Sequence, residues 1–105
     1  MAERVFYRGG SDLTPRVEEV KLDRVTALVG VTHGVSVFDN PDQVEHFGGA
    51  YRVVSIPESL TIIQRGRDPK HFEIVPAQPM SWDDYNAALH TIQLLPVRGA
   101  PEEIS

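Results

Sequence analysis

The apolar positions of this chain fall mostly into six short stretches rich in β-branched and aromatic residues: RVFYR (4–8), TALVGV (26–31), VSVF (35–38), AYRVVSI (50–56), LTIIQR (60–65) and HFEIV (71–75). Gly, Pro and Asp punctuate them, so each predicts a strand. Two stretches predict helices instead. In the first, Asn40 caps, Pro41 takes the first helical position, Gln43 completes a capping box, Val44 and Phe47 form the apolar side, and Gly48 and Gly49 end it. The second starts at Ser81, with Asp83 and Asp84 suited to the positive end of the dipole and Met80 placed to staple onto Tyr85. Its core stripe is Trp82, Tyr85, Leu89 and Ile92. A weaker helical pattern, TPRVEEVKLD from Thr14, offers only Val17 and Val20 as a stripe.

Several connections between the expected strands are too short for a parallel crossover. The pattern therefore predicts an α+β fold: a single compact domain with a mixed or split, mainly antiparallel sheet and short helices. The domain is expected over residues 1–95, with PVRGAPEEIS (96–105) a loosely held tail. Val5, Val35, Val37, Val53, Ile62, Phe72, Ile74, Trp82, Tyr85 and Leu89 are the expected core.

A length of 105 residues supports one core, so any site must sit on that core's rim. Lys and Arg number 10 against 15 Asp and Glu, a net charge of −5, which argues against a broad nucleic-acid footprint. Local basic residues remain free to bind a phosphate. The absence of cysteine removes disulfides, thiolate nucleophiles and cysteine metal sites, and fits a cytoplasmic working place. MAERVFYRGG contains no apolar signal segment, and no apolar run approaches bilayer-spanning length.

In HFEIV the strand period sets His71 and Glu73 on one face and Phe72 and Ile74 on the other. The sheet is expected to bury the aromatic side and present the ionisable one, where His71 would exchange protons and Glu73 would orient it or steady a developing cation. An ordinary polar sheet face has the same pattern. Arg8 ends RVFYR before Gly9 and Gly10, where a guanidinium projects and bare backbone lets a phosphate come close. On this segment alone, an arginine pairing with a surface carboxylate before a flexible turn is the better-supported reading. Neither a Walker motif nor GxGxxG is present. Ser36 lacks the nucleophile-elbow context, because Phe38 stands where GxSxG needs glycine. His33 and His46 lack the spacing of a zinc site, and no metal is expected. His46 reads as a solvated face residue, and His90 as a complement to the last helix's dipole.

Taken in order, YR in the first strand, GVSVFDNP, VVSIPESL and HFEIVPAQPM ahead of a final helix resemble the small Tse2-like effector toxins known from type VI secretion. The resemblance runs from Arg8 to about Leu94, and SVFD, the IP pair and HFEIVPAQPM are its most specific parts. It implies an ADP-ribosyltransferase-like, NAD-dependent fold and chemistry on the nicotinamide glycosidic bond. It places the family's hydroxyl-bearing strand on Ser36, its strand histidine on His71 and its first-strand arginine on Arg8. Ser36, His71 and Glu73 are then the expected catalytic residues. Arg8 would pair with the pyrophosphate, and Tyr7 or Phe38 would supply a ring face for NAD. NAD enters as substrate, and a neutralising antitoxin or immunity protein is the expected partner. Two other readings stay open: a metal-independent ribonuclease toxin using His33, His71, Glu73 and Arg65, and a non-enzymatic interaction module docking through its polar sheet face.

Overall fold

The computed structural model describes residues 5–97. Six strands and one helix follow in chain order: β1 (Tyr7–Gly9), β2 (Val35–Phe38), β3 (Ala50–Val54), β4 (Leu60–Gln64), β5 (His71–Pro76), α1 (Trp82–Leu89) and β6 (Gln93–Pro96). They form one sheet in the order β4-β5-β2-β1-β3-β6, antiparallel at every pairing. The architecture is α+β, and the expected mixed or split sheet is replaced by a continuous antiparallel one. Hairpin-length connections between β3, β4 and β5 leave no room for a parallel return.

The sheet is thinnest at its centre. β1 and β2 pair at the single position Tyr7↔Phe38, whereas β2 and β5 hold four successive positions from Val35↔Ile74 to Phe38↔His71. Beyond Tyr7 the two central strands part, and that parting makes the main cleft.

Alternation along β2 and β5 sends Val35, Val37, Phe72 and Ile74 to one face, where all four are buried with Leu13, Val29, Val53, Leu60, Tyr85, Leu89 and Ile92. Each such side chain contributes about 1.5–3 kcal/mol on leaving water. Of the expected core, Ile62 and Trp82 are packed against this cluster but only partly buried, and Val5 is half-buried. α1 forms because Ser81 Oγ accepts from the Asp84 N–H at 3.0 Å, and it turns Tyr85 and Leu89, four residues apart, into the core.

Tyr85 also ties the sheet together. Its hydroxyl donates to the Ile74 carbonyl on β5 and accepts from the Val35 N–H at 3.1 Å on β2. Burial pushes its phenol up to about 12, against the opposing pull of the Val35 N–H. Gly34 lies under this clamp, and a Cβ there would be driven into the Ile74 carbonyl oxygen and the Tyr85 hydroxyl.

Four expectations are corrected. The stretch TALVGV is no strand: Asp23 Oδ1 captures the N–H groups of Val25 and Thr26, Ala27 sits at φ +60°, and only Val29 makes isolated bridges, to Leu22 and Met80. The helix expected from Pro41 is two 3-10 turns, Pro41–Gln43 and Glu45–Phe47, closed by Gly48 at φ +102°. Asn40 Oδ1 caps it through the Asp42 N–H, but the Gln43 side chain reaches Asp68 instead of closing a capping box. The pattern from Thr14 yields only a 3-10 turn, Val17–Glu19. The tail does not begin at Pro96, because Pro96 pairs with Tyr51 in β6 and the Val97 N–H donates to the Ala50 carbonyl. The rest of the expected tail, 98–105, lies outside the described residues.

Candidate functional site

Where β1 and β2 part, a cleft of about 500 Å³ is lined by Arg8 and Gly9 of β1, Ser36 and Phe38 of β2, Arg16 and Glu19 near the first 3-10 turn, and Val44 and Phe47 of the later turns. Gly9 serves packing here more than ligand approach, since a Cβ at Gly9 would lie 2.6 Å from the Phe47 Cβ.

Arg8 occupies the gap. Its Nη1 donates to the Ser36 carbonyl at 2.8 Å and its Nε to the Asp12 carbonyl at 3.1 Å. Both acceptors are neutral, and among the described residues no carboxylate lies within ion-pair distance of Arg8. No direct ion pair between Arg8 and a carboxylate forms among the described residues, and two of the guanidinium's five donors are committed to these carbonyls. Burial lowers its affinity for the proton from the ordinary arginine value, while nearby Glu19 and Asp12 oppose that shift.

The register Phe38↔His71 and Ser36↔Glu73 places these four side chains on one face. His71 Nε2 lies 2.9 Å from Ser36 Oγ, and His71 Nδ1 lies 2.7 Å from the Arg65 carbonyl oxygen. A carbonyl only accepts, so Nδ1 carries the ring proton. In the neutral ring Nε2 is then the acceptor, and the Ser36 hydroxyl donates to it. Phe38 steadies the imidazole from the side, ring centroids 5.2 Å apart.

Glu73 departs from the expectation of a presented ionisable face. It is 4% exposed, and its Oε1 accepts from the Gly34 N–H at 2.9 Å while Oε2 pairs with Arg65 Nε at 3.1 Å and lies 3.6 Å from His71 Nε2. A buried carboxylate must find such partners, and here they are the first residue ahead of β2 and the residue that follows β4 in the β4–β5 hairpin. Glu73 does not line the cleft, so it positions others and does not touch a ligand there. His71 likewise lies behind Ser36, outside the cleft wall.

The structure thus brings Arg8, Ser36, Phe38 and His71 together, with Glu73 behind them. Tyr7 stands opposite Phe38 in the β1–β2 register and lines a neighbouring hollow with Arg52, Leu95, Pro96 and Val97. His33 bonds the neighbouring Thr32 hydroxyl at 2.8 Å. Sequence reasoning does not find Arg16, Glu19, Val44 and Phe47 as cleft residues, and it groups Arg65 with Glu73 in the ribonuclease reading without placing them as an ion pair. A signal for the pair exists: a hairpin joining LTIIQR to HFEIV in the register Gln64↔Phe72 sets Arg65 beside His71. The cleft residues carry no local signal, because the parting of β1 from β2 brings them together.

Among the described residues, no three His, Asp or Glu side chains are grouped to hold a metal ion, and no helix is long and apolar enough to cross a membrane. No family model, curated protein or solved structure matches the chain.

Proposed function

We propose that this protein is an NAD-cleaving toxin of ADP-ribosyltransferase or NAD glycohydrolase type, working in the cytoplasm of the poisoned cell. The observation that carries the reading is the meeting of Arg8 and Ser36 at one cleft in the middle of the sheet, with His71 hydrogen-bonded behind Ser36. The Tse2-like motifs assign the same three residues. The cleft's volume falls within the range of about 300–1,000 Å³ common to small-molecule sites.

Loss of nicotinamide from NAD passes through an oxocarbenium-like ribose, so the site must hold the pyrophosphate and stabilise positive charge. Arg8, anchored by two neutral carbonyls, offers its remaining donors to the pyrophosphate. Ser36, backed by His71, meets the nicotinamide ribose, and Phe38 gives the pocket an apolar wall. An NAD-consuming enzyme poisons its maker, so a neutralising antitoxin or immunity protein that covers the cleft is the partner this function requires.

A second reading, a metal-independent ribonuclease, draws on one observation: Arg65, Glu73 and His71 form a connected cationic and acid–base group. Induction of the protein in a bacterium separates the readings. NAD depletion with intact RNA accompanies growth arrest under the first, and RNA decay at constant NAD under the second. A non-enzymatic docking module leaves growth, NAD and RNA unchanged.

A further inference from the structure

Ser36 lines the cleft, and His71 Nε2 stands behind it, 2.9 Å from the Ser36 hydroxyl. The ring cannot turn its lone pair elsewhere, because Nδ1–H is committed to the Arg65 carbonyl at 2.7 Å and Phe38 packs against its side. A hydroxyl on a cleft residue, a base behind it and a third group fixing that base are the parts of an activated nucleophile. The serine rides on the middle of a paired strand, and Arg8 Nη1 holds its own carbonyl, so the backbone that aims Oγ is fixed.

We infer that Ser36 Oγ attacks the substrate and forms a covalent intermediate; the identity of the electrophile, C1′ of the nicotinamide ribose, rests on the function proposed above. The Oγ–C1′ bond forms as the C1′–N bond to nicotinamide breaks. The bonding pair leaves with nicotinamide, whose ring loses its positive charge, and the hydroxyl proton passes to His71 Nε2. The resulting imidazolium has Glu73 Oε2 at 3.6 Å, a buried carboxylate on the side where the new charge appears. Water then bonds to C1′ as the Oγ–C1′ bond breaks. His71 returns its proton to Oγ and the proton of the attacking water is lost to solvent, so the balance is NAD and water to ADP-ribose, nicotinamide and one proton.

Two displacements at one carbon retain its configuration, and a single displacement inverts it. Incubation of the full chain with NAD in water containing methanol is expected to give a methyl ADP-riboside of retained configuration. An acid quench is expected to show one ADP-ribosyl group on the peptide containing Ser36. Ser36→Ala is expected to slow nicotinamide release by roughly 100-fold or more, the scale of losing a positioned catalytic group. An inverted product from the wild-type chain, or a Ser36→Ala protein that releases nicotinamide at the wild-type rate, overturns the covalent step and leaves NAD cleavage standing. If the wild-type chain releases no nicotinamide, the proposed function falls, and a fluorophosphonate probe decides on the serine alone. Labelling of Ser36 that disappears in His71→Ala supports an activated nucleophile, and no labelling overturns it.

Discussion

Replacing Tyr85 with Phe removes one oxygen from the centre of the fold and leaves the ring in place. The lost hydroxyl is the acceptor for the Val35 N–H and a donor to the Ile74 carbonyl, and both strands are buried at these positions. An unsatisfied buried amide costs about 1–3 kcal/mol, and loss of the second bond adds about 1 kcal/mol, for a total of about 2–4 kcal/mol. In a domain of this size that lowers the melting temperature by roughly 10–25 °C. The substitution has a second signature in pH. Tyr85 in the folded chain ionises near about 12, above its unfolded value of about 10. The unfolded chain therefore loses the proton first. The stability held below pH ~10 is lost as pH rises toward ~12, by about 3 kcal/mol, because each pH unit between the two ionisations is worth about 1.4 kcal/mol. The Phe variant lacks that loss, so thermal melts of the two proteins, well separated near neutrality, should converge in alkali. Equal melting temperatures near neutrality, or a gap that stays constant through the alkaline range, refute the clamp between β2 and β5.

Gly34→Ala should prevent folding or destabilise by several kcal/mol, of order 4, because the new methyl collides with the Ile74 carbonyl and the Tyr85 hydroxyl; circular dichroism and yield of soluble protein read the result. Ser81→Ala removes the cap on the Asp84 N–H and should cost about 1 kcal/mol in a denaturant melt, with no change at the cleft. Arg8→Ala should weaken NAD binding by at least tenfold in calorimetry, since a charge-assisted pair to phosphate is roughly twice as strong as a neutral one.

Much of this architecture is legible along the chain. VSVF is β2 residue for residue, and β3, β4 and β5 fall within a residue or two of their apolar stretches, because each is a β-branched run bounded by turn residues. Ser81 marks the helix start for the same local reason. The failures are contests between local and tertiary terms. TALVGV has strand composition, but the carboxylate of Asp23 takes two backbone donors and Ala27 adopts positive φ, so no ladder extends. QLLP has neither alternation nor length, and becomes β6 only because β3 presents an open edge; Pro96 is tolerated at that edge. Glu73 looks like a presented acid along the chain because the period of two gives faces but not what covers them. The carboxylate is buried by partners, Arg65 and the Gly34 N–H, that come from two different connections.

The central claim is that Arg8, Ser36 and His71 form a site for cleaving NAD. Its most direct test is the release of nicotinamide from NAD by the purified protein beside its His71→Ala variant, with both folds checked by melting. The account predicts steady release by the wild-type chain and a loss of roughly 100-fold or more in the variant, whose fold persists because His71 is only partly buried. Release at the same rate from both proteins, or none from the wild-type chain, contradicts it.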